Sequence, residues 1–438
     1  MKTNFFQTYL NLVKSNLFLT LLLCILSTLT FPLIINSVFI VLLLLATLLN
    51  INKLSIKKNS FSDYAFFLFF AWLTLSFIWT INKEDTFNAI IRQTSFFIFP
   101  LSFLVFQKNY LTVVSKWFSY SMFIIALYFI LRAIARFFIL KNTSVFFFHG
   151  EYTSDLGLVP KELNAVYVGA FSSLAFIYFL IKQTKSKLDY FIVVLLLVFI
   201  FMLNVNAILF STAVLVGIYF SFYSKTSNRM RLRNLILIIS ILISSLFYKT
   251  INNFFIHEFK TNTSKGIGHD VISGLPSEKH KVTIYEAWNN KTFSPNDFFP
   301  GTAFRVYQAR LFFEFLKEES IFLKGFGLNA SYQKIEEKGI KYNVFLGNEY
   351  KEGYQKKNFH NQYVQVFAEL GLIGFVFFLI ILFINIKNAF QSKNFMHIAF
   401  AILMISLFLT ESFLWRQRGV VFFTMFYCLF NYNKKEEN

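Results

Sequence analysis

The segment from His360 to Gly374, His-Asn-Gln-Tyr-Val-Gln-Val-Phe-Ala-Glu-Leu-Gly-Leu-Ile-Gly, gathers the residue types that can move protons beside a membrane. His360 supplies an imidazole, which titrates near neutrality, where a long polar loop runs into an apolar stretch. A helix starting near Asn361 sets Gln362, Gln365 and Glu369 on one stripe, at i, i+3 and i+7. Glu369 is thereby carried into the apolar layer. A charge there costs about 3 kcal/mol or more, so the residue either does chemistry or is held by a Tyr or Arg of the bundle. Gly371 and Gly374 offer small surfaces against which a neighbouring helix can close. A loop histidine is most often a solvated surface residue. The polar stripe beneath His360 and its place at the membrane entry argue instead for chemistry.

Arginines form the second constellation. Planar guanidinium groups keep their charge near lipid and bind phosphate-type anions through two oxygens at a time. Arg92, Arg132, Arg136, Arg305, Arg310, Arg416 and Arg418 fall in or near outward-facing stretches. Arg416 and Arg418 stand out because short outer connections are normally poor in basic residues. Arg305 and Arg310 lie about 140° apart around a helix, so one site takes only one of them, and Arg305 is preferred. Glu411 closes an apolar run beside Thr410, and one of those two nearby arginines is its expected partner.

The elements that must position these groups are membrane helices. The chain of 438 residues is 56% hydrophobic and 20% aromatic with only 15% charged residues, which excludes a soluble domain of this size. Apolar runs of spanning length fall at about 15–31, 33–51, 62–81, 91–106, 112–134, 165–182, 188–204, 207–223, 235–251, 362–386, 395–411 and 419–432. The expected fold is therefore all-α and polytopic, with roughly twelve transmembrane helices. Lys2 and the apolar run after it read as a retained first helix rather than a cleaved signal. Basic clusters at 53–58, 182–187, 225–233, 387–393 and 434–435 alternate along the spans, and all five share one face if both termini are cytoplasmic. Many of the Lys and Arg behind the net charge of +19 sit in these short loops on one side, so nucleic acid is not an expected partner.

Three regions follow: an N-terminal bundle at 1–251 with about nine helices, a long outer loop at 252–361, and C-terminal helices at 362–438 numbering about three. Such a long loop is usually functional or folds as its own cap. Thr261 to Asp297 reads as irregular. Ala303 to Glu319 reads as a helix, with Phe304, Tyr307, Leu311 and Phe315 at helical spacing, and a Gly325-Phe326-Gly327 turn ends it. Cys24 and Cys428 sit in apolar spans near opposite chain ends, where a disulfide is not expected.

The His360 segment resembles the His-Asn-x-Tyr…Glu-x-Gly-x-x-Gly signature of the O-antigen ligase family, multispanning glycosyltransferases that use polyprenyl-diphosphate-linked glycans. Ser76-Phe77-Ile78-Trp79 with Arg92, the arginine-led stretch from Arg305 to Gly327, and Thr410-Glu411-Ser412 through Arg416-Gln417-Arg418-Gly419 resemble further family elements. Together they cover about half of the chain. One departure is Leu203-Asn204-Val205-Asn206, where family members commonly carry Ser-Arg, so a donor contact from that arginine has no counterpart. The resemblance implies a GT-C-like membrane enzyme of the bacterial inner membrane with a periplasmic loop. His360 would be catalytic. Arg305, Arg416, Arg92 and Arg418 would bind the donor diphosphate, supported by Glu369, Glu411, Asn361 and Tyr363. The substrates it implies are an undecaprenyl-diphosphate-linked glycan and a lipid A-core acceptor.

The inventory fits metal-independent, inverting transfer without a cofactor. No Asp-x-Asp clamp and no zinc spacing occur, and His269 and His280 read as surface residues. An O-antigen polymerase using the same donor remains open, as does a lipid or polysaccharide transporter, although neither repeat halves nor charged midplane helices are evident. The orientation is directly testable. Cysteine placed at Ser294 should react with an impermeant maleimide in intact spheroplasts; labelling only after lysis would invert the topology.

Overall fold

Long runs of Leu, Ile, Phe and Val leave the backbone no water to bond, so these residues satisfy their amides within helices. The computed structural model describes residues 16–54, 61–108, 110–148, 157–224, 280–348 and 352–432, and its described residues contain fifteen α-helices and only two isolated β-bridges. The membrane part comprises α1 (Leu17–Ser27), α2 (Leu33–Leu49), α3 (Phe61–Leu75), α4 (Lys83–Arg92), α5 (Ser95–Phe106), α6 (Leu111–Leu140), α7 (Ala165–Ile181), α8 (Lys187–Met202) and α9 (Asn206–Ile218). After a cap built on α10 (Ile284–Asn289), α11 (Gly301–Glu318) and α12 (Ser331–Lys341) follow α13 (Gln362–Ser392), α14 (Phe395–Phe408) and α15 (Gln417–Asn431).

Among the described residues, four stretches are long and apolar enough to cross a membrane, at 83–106, 111–140, 206–223 and 362–392, with shorter apolar helices beside them. The helices fall where the apolar runs placed them. The expected span at 235–251, the first part of the outer loop at 252–279 and the basic tail at 434–435 lie outside the described residues. The run at 91–106 begins earlier than expected, because α4 and α5 continue one another across a break at Gln93–Thr94.

The last helix is the axis of the bundle. Every residue of α15 from Arg418 to Phe430 is buried, as an all-round apolar helix must be. Phe422, Phe423 and Phe426 meet Phe118, Phe171, Phe400 and Phe408 ring to ring. A second core fills the cap, with Phe293, Phe299, Phe304, Tyr307 and Tyr354 around Ile335, and it reaches Ala368 of α13.

The cap holds more helix than the sequence reading allowed. Within the stretch read as irregular, Thr283 and Glu286 form a reciprocal capping box that starts α10. Helix α12 was not anticipated at all. Glu314 of α11 fastens it, accepting from Arg310 at 2.8 Å, Lys338 at 2.9 Å and the Tyr342 hydroxyl at 2.6 Å. This ties Arg310 inside the cap and leaves Arg305 as the arginine facing the membrane part.

Helix α13 is two helices joined at Gly371, whose φ of 64° and ψ of −169° break the ladder. The break frees the carbonyls of Ala368 and Glu369, which accept from the amides of Phe326 and Gly327, both at 2.9 Å. Beyond it the amide of Leu372 donates to the carbonyl of Phe322 at 2.7 Å. The same loop is gripped from the other side. Leu328 donates its amide to Ser76 Oγ (3.1 Å), Thr86 Oγ1 donates to the Leu328 carbonyl (2.7 Å), and Trp79 Nε1 donates to the Lys324 carbonyl (3.0 Å). Gly371 thus admits a loop, not the neighbouring helix expected from sequence; Gly374 does pack near Trp72 of α3. An alanine at Gly371 would place its Cβ 2.2 Å from the Leu323 backbone. Left-handed strain alone costs about 1–2 kcal/mol, so Gly371→Ala should lower the thermal midpoint of the detergent-solubilised protein by several degrees. An unchanged midpoint would show that the break is not locked.

Candidate active site

Asn361 caps α13, its Oδ1 accepting from the amides of Tyr363 and Val364, and its Nδ2 donates to the Leu409 carbonyl at 3.2 Å. Tyr363 reaches the Ile405 carbonyl through its hydroxyl at 3.2 Å. Both residues therefore pin the start of α13 to the end of α14. The stripe beneath does the same for the loops. Gln362 Oε1 accepts from the Leu414 amide at 2.7 Å, and Gln365 Oε1 accepts from the Phe359 amide and Ser412 Oγ, both at 3.3 Å. Glu369 accepts from Gln365 and from Ser331 of α12. It does not face lipid. It is a buried carboxylate two residues before the break, held by Gln365 of its own helix and Ser331 of the cap, and its geometry is that of a fastener between cap and bundle.

His360 is held in the left-handed region at φ 47°, with its amide donating to Asn358 Oδ1 at 2.9 Å. Histidine tolerates this conformation better than most residues, though at some strain, and such strain gathers at working sites. The twist turns the ring against Phe304 and sets Nδ1 3.3 Å from Glu411 Oε2. A carboxylate only accepts, so Nδ1 carries the hydrogen of this bond, and in the neutral form of the ring Nε2 is the acceptor. Nε2 is buried and without a hydrogen-bond partner.

Burial pushes the Glu411 carboxyl upward, but the neighbouring His360, Arg305 and Arg416 more than offset it and hold the group below its ordinary value. The sequence expectation paired Glu411 with Arg416 or Arg418; the structure pairs it with His360 instead. Arg305 Nη2 donates to the carbonyl of the adjacent Thr410 at 3.3 Å, which brings a cation beside the His360–Glu411 pair.

The other arginines occupy a neighbouring cleft of about 980 Å³ between α2, α6 and the connection before α15. Arg92, Arg132, Arg416 and Arg418 line it with a single acidic residue, Glu162, so its lining is strongly positive. Arg305 does not line this cleft, so the four arginines grouped from sequence divide: Arg92, Arg416 and Arg418 in the cleft, Arg305 beside the imidazole. Arg418 is committed to structure. Its guanidinium donates to the carbonyls of Leu29 (2.9 Å), Glu162 (2.9 Å) and Phe31 (3.0 Å).

Trp415, unremarked in the sequence, is the floor between the two sets. Its ring lies under Arg92 at 5.2 Å and near Arg416 at 6.0 Å, it stacks with Tyr332 at 5.7 Å, and its Nε1 donates to Asn329 Oδ1 at 2.6 Å. Tyr332 titrates well above the usual tyrosine range, chiefly through burial and then through the charge of Glu369. The available signal for Trp415 was an aromatic next to arginines in a short outer connection.

These features define an integral membrane protein with a polar site under a helical cap, combining an imidazole–carboxylate pair with an arginine-lined cleft. Residues 191–379, less than half of the chain, match the model of the family described as O-antigen ligase. The match includes Arg305, His360, Asn361, Tyr363 and Glu369; Arg92, Glu411, Arg416 and Arg418 lie outside it. No curated protein matches the chain.

If Glu411 acts through His360, Glu411→Gln should lower turnover, and the Glu411→Gln/His360→Ala double variant should be no worse than His360→Ala alone. Additive losses in the measured rates would separate the two residues. Because its folded value is depressed, Glu411 contributes stability that is present above the ordinary carboxylate range, about pH 4.3, and is lost as pH falls through the folded value.

Proposed function

We propose that the protein transfers a glycan from an undecaprenyl-diphosphate carrier to a lipid A-core acceptor on the periplasmic face of the bacterial inner membrane. The observation that carries this reading is the unpartnered Nε2 of His360, aimed by Glu411 beside a cleft lined by arginines. The donor diphosphate lies in the cleft against Arg92 and Arg416, whose planar guanidinium groups match its oxygens. Arg418 shapes the cleft while holding the Leu29, Phe31 and Glu162 carbonyls. Arg305 sits where the acceptor and the leaving oxygen meet.

In the reaction, the acceptor hydroxyl oxygen attacks the anomeric carbon. Its proton passes to His360 Nε2, and the bond from that carbon to the diphosphate oxygen breaks with the electron pair leaving on the diphosphate. A single displacement of this kind inverts the anomeric centre. Glu411 stabilises the imidazolium that forms, and the arginines stabilise the charge growing on the leaving group, a contribution of about 3 kcal/mol per well-placed donor. A positioned imidazole base contributes about 10²–10⁴-fold.

His360→Ala should therefore lose transfer by about that factor while remaining at normal level in the membrane; near-normal transfer would remove the residue from the reaction. A deletion strain should accumulate lipid-linked polymer. Accumulation of single lipid-linked repeats would make the protein the polymerase instead.

A further inference from the structure

The cap carries a patch of large apolar side chains that its own core does not cover. Phe322 and Leu323 are each 55% exposed, Phe313 is 50% and Trp288 is 45%. They are joined through the rings of Phe312 and Phe367. Trp288 meets Phe313 at 5.9 Å, and Phe322 meets Phe367 of α13 at 5.9 Å, beside which Phe312 lies at 5.4 Å. In water such a patch is unfavourable by about 25 cal/mol for each Å² of apolar surface, so something covers it.

Its position identifies the occupant. The Phe322–Lys324 segment is bonded to the spanning helix itself, through the amides of Leu372 and Ile373. From Leu372 to Ser392 the second half of α13 runs 21 residues, about 31 Å at 1.5 Å per residue, the thickness of a hydrocarbon layer. The segment therefore lies at the level where that layer begins. Lys324 extends over the Trp79 ring at 5.8 Å, and Trp72 and Trp79 pack at 5.0 Å beside it. Tryptophan with a lysine above it is the composition of a membrane–water boundary, where the ring sits among headgroups and the ammonium reaches lipid phosphate.

We infer that Phe322, Leu323, Phe313 and Trp288 form a lip that inserts into the outer lipid leaflet, so that the cap is anchored to the bilayer as well as to the bundle. The lip requires only that the protein spans a membrane, not that it transfers glycans. Held at this depth, the cap keeps His360 at a fixed height above the lipid phosphates.

The test uses the full-length protein with Cys24 and Cys428 replaced by alanine and a single cysteine at Phe322, Leu323, Phe313 or Ser294. Each is labelled with bimane and reconstituted into phosphatidylethanolamine–phosphatidylglycerol vesicles containing a lipid brominated high on its acyl chains. Labels at positions 322, 323 and 313 should lose fluorescence to brominated lipid and resist aqueous iodide, and the label at exposed position 294 should do the reverse. Position 313 lies on α11 away from the turn, so it reports even where a cysteine in the turn disturbs folding. Iodide quenching at 313 and 323 equal to that at 294 overturns the lip. Protection from both quenchers also overturns it and assigns the patch to a protein partner or a second copy.

Discussion

A break in a membrane helix must have its backbone groups satisfied by something other than water, and in this protein one loop does so. At Gly371 the ladder of α13 opens, and the turn at Gly325, Phe326 and Gly327 fills the opening from one side while Ser76, Trp79 and Thr86 grip the loop from the other. The His360 side of the candidate site depends on this joint. It fixes the first half of α13, which carries His360 at its entrance, and it fixes α12, which brings Ser331 to Glu369 and Tyr332 to Trp415.

The joint also gives a single physical meaning to residues that looked separate in the sequence. Ser76 and Trp79 are far from His360 in the chain, yet both bond the loop segment that packs on the helix leading from it. Gln362, Gln365 and Glu369, which read as a polar stripe poised for chemistry, act as fasteners between α13, the cap and the connection at 412–414. Their polarity is used up within the protein. That leaves the His360–Glu411 pair and the arginine cleft as the groups with capacity to engage another molecule.

Local patterns made the helices legible, because apolar runs of spanning length report burial directly. The His360 motif was legible for a similar reason: a titratable residue at a helix entrance is a local feature. What escaped depended on contacts between distant segments. The break at Gly371 could not be told from close helix packing, since glycine serves both. Glu411 lies close to Arg416 in sequence but meets His360 in space, because the cap swings the imidazole over the end of α14. Arg305 and Arg416 look equivalent as outer arginines, and only the fold assigns one to the imidazole and the other to the cleft. Helix α12 was hidden by its charged, low-hydropathy sequence, in which only Ile335 and a few neighbours face the core.

Arg418 has a further consequence, one of timing. The carbonyls it binds belong to the corner between the first two helices, and the arginine that completes them lies 389 residues later in the chain. At about 5–20 residues per second, that corner waits on the order of 20–80 s during synthesis with those acceptors unserved by their final donor. The cleft wall is closed by the same residue, so the earlier helices, however well inserted, cannot assemble a binding surface by themselves. Synthesis of α15 is then the step that joins this corner to the cleft lining, and the cleft is incomplete until that helix has been made.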